Sequence, residues 1–155
     1  MKGNDAVIAK LNEMLADELT AISQYVVHSE MCANWGYGKL HEQVEKRAIT
    51  EMKHAEKLIA RIIFLDGAPI VSKLNPIHIG LDVEKQLKND LEAELIAVNG
   101  YNEAAAMSSQ IKDYGTHEIF ETILADEEDH VDWIESQLDL INQMGLANYL
   151  LSQTE

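Results

Sequence analysis

The sequence has few of the residues on which several classes of protein depend. Cys32 is its only cysteine, which excludes a disulfide framework and any cysteine-rich zinc or iron–sulfur site. Twelve basic residues stand against 27 acidic ones, a net charge of −15, which argues against nucleic-acid binding because phosphate contacts need lysine and arginine. No apolar run approaches the ~18 residues of a membrane span, and the opening MKGNDAVIAK lacks the apolar core of a signal peptide. We therefore expect a cytoplasmic protein without membrane or nucleic-acid partners.

Proline and glycine are also scarce, at two and eight residues, and most of them lie in a few short stretches. That distribution favours long, uninterrupted helices. The chain has 155 residues, 46% of them apolar, which is enough for one domain with a real hydrophobic core. We expect residues 1–155 to form a single domain.

Apolar residues recur at steps of three and four along four segments, which predicts four amphipathic helices of nearly thirty residues each. The first begins near Asn4 or Asp5, both good N-caps, and runs into the stretch 33–38. The others cover about 39–66, 83–111 and 116–144, and the amphipathic tail after Gly145 predicts a short fifth helix.

Residues 67–82 form the one long connection and contain both prolines. Extended at ~3.3 Å per residue, this connection could traverse a helix of ~40 Å, so the third helix could start at the far end and lie parallel to the second. The sequence leaves that direction open. Two short connections and a long one between four long helices predict an all-α four-helix bundle.

Each inward-facing helix stripe contains one glutamate: Glu18, Glu51, Glu94 and Glu127. His54 and His130 follow the second and fourth glutamates by three residues, a spacing that places both side chains on one helix face. The first two glutamates are 33 residues apart, the last two are also 33 apart, and a shift of 76 residues carries the first pair onto the second. The chain therefore looks like two helical hairpins that each supply a Glu and a Glu-x-x-His to a shared centre.

Taken singly, these residues have ordinary explanations: a glutamate at a helix edge, or a hydrogen-bonded core histidine. Four carboxylates buried together would, however, repel one another and be poorly solvated, and no lysine or arginine recurs on these stripes. Bound cations would resolve this, and six ligands suit two metal ions, with iron or manganese favoured and zinc possible. Two Glu and two Glu-x-x-His are the ligand set of ferritin-like di-iron proteins.

Over essentially its full length the chain closely resembles the bacterioferritins. The matching stretches are MKG at the start, DELTAISQY (17–25), ANWG (33–36), EMKHAEKLIARIIFLDG (51–67), DEEDHVDWIESQLDLI (126–141) and MGLANYL (144–150). The resemblance implies a ferritin-like four-helix bundle with a long crossover between its second and third helices. It also implies a twenty-four-subunit cage of twofold dimers that stores ferric mineral, with Met52 from two subunits binding one haem b iron at each twofold interface.

The resemblance further implies how the ligands are shared between two irons. One iron would be bound by Glu18, Glu51, His54 and Glu127, and the other by Glu94, His130 and the bridging pair Glu51 and Glu127. Tyr25, two turns from Glu18, could hydrogen-bond a ligand or supply an electron.

This chain departs from the family at several positions. A His and an Asp that some members carry on the cavity face of the second helix are Lys46 and Thr50 here, and an aromatic found in some members is Leu58. Trp133 is kept, whereas Tyr101 is an additional phenol for which we expect a packing role in the core.

The main hypothesis is a ferroxidase and iron-storage protein. Two ferrous ions bind the acidic centre, dioxygen or peroxide takes an electron from each, and ferric product feeds a mineral. The haem would return electrons during iron release, from a small ferredoxin. Two alternatives stay open: a haem-bearing cage whose di-metal site is structural or a transit site for iron, and a di-iron peroxidase that stores little iron.

The remaining polar residues carry weaker expectations. Four of them either line a pore between subunits, as similar positions do in the family, or are ordinary solvated groups: Asn34, Asp66, Asp132 and Asn148. Four histidines are expected at the surface or at interfaces: His28, His41, His78 and His117. Cys32 is expected to act as a small apolar residue near the end of the first helix.

Overall fold

The computed structural model describes residues 1–155 as five helices. They are α1 (Asp5–Asn34), α2 (Gly38–Phe64), α3 (Val83–Gln110), α4 (Tyr114–Met144) and α5 (Leu146–Ser152). Asn4 caps α1 as expected, because its side-chain oxygen accepts a hydrogen bond from the Ala6 N–H at 2.8 Å. The predicted all-α bundle with a short fifth helix is confirmed.

Two helix ends differ slightly from the prediction. Helix α4 begins at Tyr114 rather than Thr116, because the Asp113 side chain caps it by accepting from the Thr116 N–H at 3.1 Å. Helix α2 ends at Phe64 rather than at residue 66, because Asp66 adopts a left-handed φ of 58° that a right-handed helix cannot continue.

The long connection, residues 67–82, determines how the two hairpins meet. It runs along α1 in the same direction, from the start of that helix towards its end, and is held in turn by side chains of Asn12, Thr20, Gln24 and His28. Helix α3 therefore starts beside the end of α1, where the Cys32 thiol donates to Gln86 Oε1 at 3.3 Å. This places α3 parallel to α2 and settles the direction that the sequence left open.

His28 corrects the expectation of four surface or interface histidines. Its ring is buried, with Nδ1 2.9 Å from Asp90 Oδ1 and Nε2 accepting from the Gly80 N–H at 2.9 Å. Gln24 donates to the same Asp90 oxygen at 2.7 Å. Helical periodicity could not reveal these bonds, because Gly80 belongs to the connection and Asp90 to the other hairpin. Of the other three histidines, His41 and His117 are partly buried and His78 is exposed.

Apolar side chains cluster towards both ends of the bundle and leave a polar layer between them. The larger cluster includes Leu11, Leu58 and Phe120. The smaller one includes Cys32 and Tyr149, so the expected apolar role of Cys32 agrees with its buried place. The acidic stripe residues lie in the layer between the two clusters. No membrane-spanning helix is found in the structure.

Gly80 lies where the connection passes over the start of α3. A Cβ added there would lie 2.3 Å from the Gln86 backbone nitrogen and 2.6 Å from its Cα. Because helix backbone cannot move aside easily, we expect Gly80→Ala to lower the free energy of unfolding by about 1–3 kcal/mol, measured by chemical denaturation of the metal-free protein. Gly38→Ala is the control, since its Cβ would meet no atom closer than 3.5 Å. Equal losses in both variants would contradict the prediction.

Candidate di-metal centre

The four long helices bring all six proposed ligands into the polar layer. Helix α1 supplies Glu18, α2 supplies Glu51 and His54, α3 supplies Glu94, and α4 supplies Glu127 and His130. Each is at most 5% exposed. They form two groups, in each of which the candidate ligand atoms lie within 4.8 Å of one another. Both groups contain Glu51 and Glu127, the first adding Glu18 and His54 and the second Glu94 and His130. That these residues bind metal stays a prediction.

One oxygen of every glutamate in the centre is buried without a hydrogen-bond partner. These atoms are Glu18 Oε2, Glu51 Oε1, Glu94 Oε2 and Glu127 Oε1. Two of them approach a histidine nitrogen closely but without hydrogen-bond geometry. A buried carboxylate oxygen without a partner is costly, and four share one small volume. Since carboxylate oxygens and imidazole nitrogens are ligands of iron, manganese and zinc, this donor set fits a pair of such cations.

His54 is braced from behind by a carboxylate that the sequence analysis missed. Its Nε2 lies 2.8 Å from Asp126 Oδ2, while its Nδ1 lies 2.9 Å from Glu127 Oε1 and 3.1 Å from Glu51 Oε2. If Nε2 carries the proton donated to Asp126, the lone pair of Nδ1 points at the carboxylates. That orientation is repulsive unless a proton or a metal ion lies between them. A carboxylate behind a histidine is a common way to orient a metal ligand.

His130 has a similar place but lacks this brace. Its Nδ1 lies 3.0 Å from Glu51 Oε1 and 3.2 Å from Glu94 Oε1. Under the 76-residue shift that relates the hairpins, the counterpart of Asp126 is Thr50. Thr50 forms no hydrogen bond with His130, because its hydroxyl donates to the Lys46 carbonyl at 3.1 Å. The two halves of the centre are therefore unequal. Applying the repeat to Asp126 could have revealed this asymmetry from the sequence.

Two tyrosines hydrogen-bond to the outer glutamates in a crossed pattern. The hydroxyl of Tyr25, on α1, donates to Glu94 Oε1 on α3. The hydroxyl of Tyr101, on α3, donates to Glu18 Oε1 on α1. Tyr101 therefore does more than pack in the core, which corrects the expectation from sequence.

Burial sets the electrostatics of the metal-free centre. It raises the pKa of Glu51 to about 8, with the charge of Glu18 adding to the shift. It also raises the pKa of Glu94 well above its ordinary value and that of Glu127 to a lesser degree. For His54, burial lowers the pKa, but the three glutamates around its ring, Glu127, Glu18 and Glu51, outweigh that effect and hold the pKa well above its usual range. The centre therefore holds protons at neutral pH, and a binding cation must displace them.

Arg47, one turn before Glu51, is another residue that the sequence analysis did not single out. It is half-buried, and burial lowers its pKa while the charges of Glu94 and Glu51 raise it. The ion pairs of the four glutamates are nevertheless made only with His54 and His130. Their charge is thus not neutralised by lysine or arginine in direct contact.

A cavity of about 260 Å³ between α1 and α3 reaches the centre. Its inner wall is formed by the four glutamates and Tyr25, and its outer wall includes Asn75, His78, Asn89 and Glu92. His78 and Glu92 are exposed, so the cavity connects the surface to the buried carboxylates. The long connection covers its mouth through Asn75 and His78.

Other predicted residues lie away from this centre. Met52 is 42% exposed on the flank of α2. Leu58 is buried in the larger apolar cluster and Trp133 packs against the smaller one. The four candidate pore residues are all exposed: Asn34, Asp66, Asp132 and Asn148.

Comparison with known proteins agrees with this architecture. A family model described as a ferritin-like domain matches residues 8–144, which assigns the bundle and its acidic centre to the ferritin-like class. A bacterial ferritin of Synechocystis sp. is 43% identical over 154 residues, 99% of each chain. Bacterioferritins of Rhodobacter capsulatus and Brucella melitensis are 42% and 40% identical over 97% and 96% of this chain, and over 94% and 92% of their own. The chain belongs to the bacterioferritin family, as its matching stretches predicted.

The raised carboxyl pKa values predict how the metal-free protein responds to pH. Between about pH 4.5 and about pH 8 the folded state keeps a proton on Glu51 that the unfolded chain has released. The free energy of unfolding should therefore fall as pH rises through this range, and the raised pKa of His54 acts in the same direction above pH 6.5. Thermal unfolding in the presence of a chelator measures the dependence.

Substitution of single glutamates on α2 separates this effect from general charge repulsion. Glu51→Gln should flatten the fall in stability with pH, whereas Glu56→Gln, at an exposed position on the same helix, should leave it unchanged. An identical pH dependence in the Glu51 variant and the parent protein would contradict the assignment.

Proposed function

We propose that this chain is a subunit of an iron-storage assembly and that it oxidises ferrous iron at the centre between its four long helices. The observation that carries the proposal is the set of four buried carboxylate oxygens without partners, aimed into one small volume beside two histidines. Membership of the bacterioferritin family supports iron as the metal.

Each half of the centre would hold one ferrous ion, which is the substrate. Glu18 and His54 bind one ion, Glu94 and His130 bind the other, and Glu51 and Glu127 are shared. Each ion gives up one electron, so that a pair reduces dioxygen to hydrogen peroxide, or hydrogen peroxide to water, and leaves as ferric iron. The glutamates offset the charge of the two ions in a place from which water is largely excluded.

Residues behind the ligands keep them oriented. Asp126 accepts from His54 and fixes which ring nitrogen faces the centre. Tyr25 donates to Glu94 and also faces the cavity, so it is placed both to position this ligand and to meet a substrate. Where only one ferrous ion is bound, the Tyr25 phenol would supply the second electron together with its proton, and a further ferrous ion would then reduce the tyrosyl radical.

Ferrous iron would reach the centre through the cavity between α1 and α3. The mouth carries Asp17 and Glu92, and the chain as a whole has a net charge of −15, which attracts cations. In the assembly, Asn34, Asp66, Asp132 and Asn148 would line a pore between subunits, since all four are exposed. Lys46 and Thr50 offer no carboxylate or imidazole on α2, so no further iron site on that face is proposed.

The assembly would be a twenty-four-subunit cage of twofold dimers, as the family resemblance implies. Met52 fits a haem ligand at the dimer interface, because its thioether is exposed and Ile49, one turn earlier, adds a 49% exposed apolar side chain. A twofold axis brings two copies of the same residue together, which would supply both axial thioethers. A haem b held there would carry electrons one at a time, from a small ferredoxin to the stored ferric iron.

Removing one ligand from each half of the centre tests the ferroxidase proposal. We expect Glu18→Ala and His130→Ala each to slow the oxidation of ferrous iron by about tenfold or more, since each removes one of the four proposed ligands of one ion. Stopped-flow absorbance of ferric product measures the rate. Glu13→Ala and His117→Ala are matched controls on the same helices outside the centre. Unchanged rates in the ligand variants would rule out the assigned centre.

Met52→Ala tests the haem site separately. The variant should lose the visible spectrum of a bis-thioether haem after reconstitution with protoporphyrin IX iron, while the rate of ferrous oxidation remains unchanged. Met144→Ala removes a thioether of similar exposure, 40% against 42%, and should keep the haem spectrum. Full haem binding by the Met52 variant would contradict the assignment.

A further inference from the structure

Tyr101 is a buried phenol with a single polar contact. It lies on α3 two turns after Glu94, its side chain is fully buried, and its ring packs on Phe120 with centroids 6.1 Å apart. Its hydroxyl donates to Glu18 Oε1, which comes from the other hairpin. Because the hydroxyl is buried and makes no other hydrogen bond, this carboxylate is the partner that satisfies it.

The repeat within the chain shows that this contact has a counterpart. The 76-residue shift carries Glu18 onto Glu94 and Tyr25 onto Tyr101. Tyr25 donates to Glu94, and Tyr101 donates to Glu18, so each hairpin supplies the phenol for the other hairpin's glutamate. The shared glutamates, Glu51 and Glu127, have no phenol.

The phenol determines which oxygen of Glu18 remains free. Oε1 is occupied by the Tyr101 hydroxyl, whereas Oε2 is buried and without a partner. A similar division holds for Glu94, whose Oε1 accepts from the Tyr25 hydroxyl and also lies 3.2 Å from His130 Nδ1, and whose Oε2 has no partner. The two oxygens of each outer glutamate are therefore unequal, because one accepts from a phenol and the other has no hydrogen-bond partner.

We propose that Tyr101 is a positioning residue for the Glu18 half of the centre, fixing that carboxylate so that one oxygen faces a metal ion bound with His54. The proposal rests on the proposed di-metal function and extends it. Under this proposal each half of the centre has its own phenol, so that loss of either phenol weakens metal binding in one half only. A residue that merely filled the core would not act on one half alone.

The test is a cobalt titration of the metal-free protein, followed by the visible absorption of bound Co²⁺. The parent protein should bind two Co²⁺ per subunit. Tyr101→Phe, which keeps the ring against Phe120, should weaken one of the two sites by about tenfold, the typical effect of losing a group that orients a ligand. Crystals of the Tyr101→Phe variant soaked in limiting Co²⁺ should show reduced anomalous density for cobalt beside Glu18 and His54, compared with crystals of the parent protein.

Two matched variants complete the experiment. Tyr25→Phe should weaken the opposite site, beside Glu94 and His130. Tyr149→Phe also removes a buried hydroxyl, one that donates to Gln137 Oε1 at 2.7 Å, and should leave both sites unchanged.

The outcomes separate this proposal from the one on which it rests. If the parent protein binds no Co²⁺ at the centre, both proposals fail. If it binds two ions and Tyr101→Phe leaves both affinities unchanged, or weakens both sites equally, the positioning role of Tyr101 is overturned while the di-metal centre stands. Selective loss of Co²⁺ from the site beside Glu18 in the Tyr101→Phe variant supports the positioning role of Tyr101.

Discussion

The mutual repulsion of four buried carboxylates is the constraint on which the rest of this structure depends. Glu18, Glu51, Glu94 and Glu127 lie together in one layer, each at most 3% exposed, and no lysine or arginine forms an ion pair with them. Left ionised and unpaired, they would oppose the packing of the four helices. Apolar clusters on both sides hold the helices together regardless, and protons, histidines and phenols reduce the repulsion from within. The same arrangement that destabilises the metal-free fold would favour the proposed cations, because metal ions would replace protons that the carboxylates hold as a result of burial.

The internal repeat explains both the regularity of the centre and its one clear irregularity. The crossed bonds from Tyr25 to Glu94 and from Tyr101 to Glu18 connect α1 with α3, the pair of helices between which the cavity opens. They hold the two hairpins together at a place where apolar packing is interrupted. The repeat fails behind the histidines, since Asp126 braces His54 whereas Thr50 turns to its own helix. His54 is thus held from both sides of its ring, and His130 from one side, so the two halves should differ in rigidity.

Much of this architecture could be predicted from the sequence, because it depends on spacing within single helices. The 3.6-residue period identified four long helices, and the 33-residue spacing within each hairpin identified six side chains that the structure brings together. What could not be predicted depends on how one helix faces another. Tyr101 lies on an inward stripe, but its acceptor is set by the register of α3 against α1, which no local pattern encodes. His28 and Asp90 meet for the same reason, and the Gly80 N–H donates to His28 from a connection without periodicity.

The connection over residues 67–82 links the stability of the bundle to access to its centre. Asn75 donates to Asp17, and the His78 N–H donates to Gln24 Oε1 at 3.1 Å, so the residues that flank Glu18 on α1 also hold the connection in place. These same four residues line the cavity that leads to the glutamates. A substitution that loosens the connection would therefore widen the route inward while it destabilises the fold, and a substitution that tightens it would narrow the route. One group of hydrogen bonds therefore sets both the stability of the bundle and the width of the route by which the proposed cations would enter, which limits how far either can change alone.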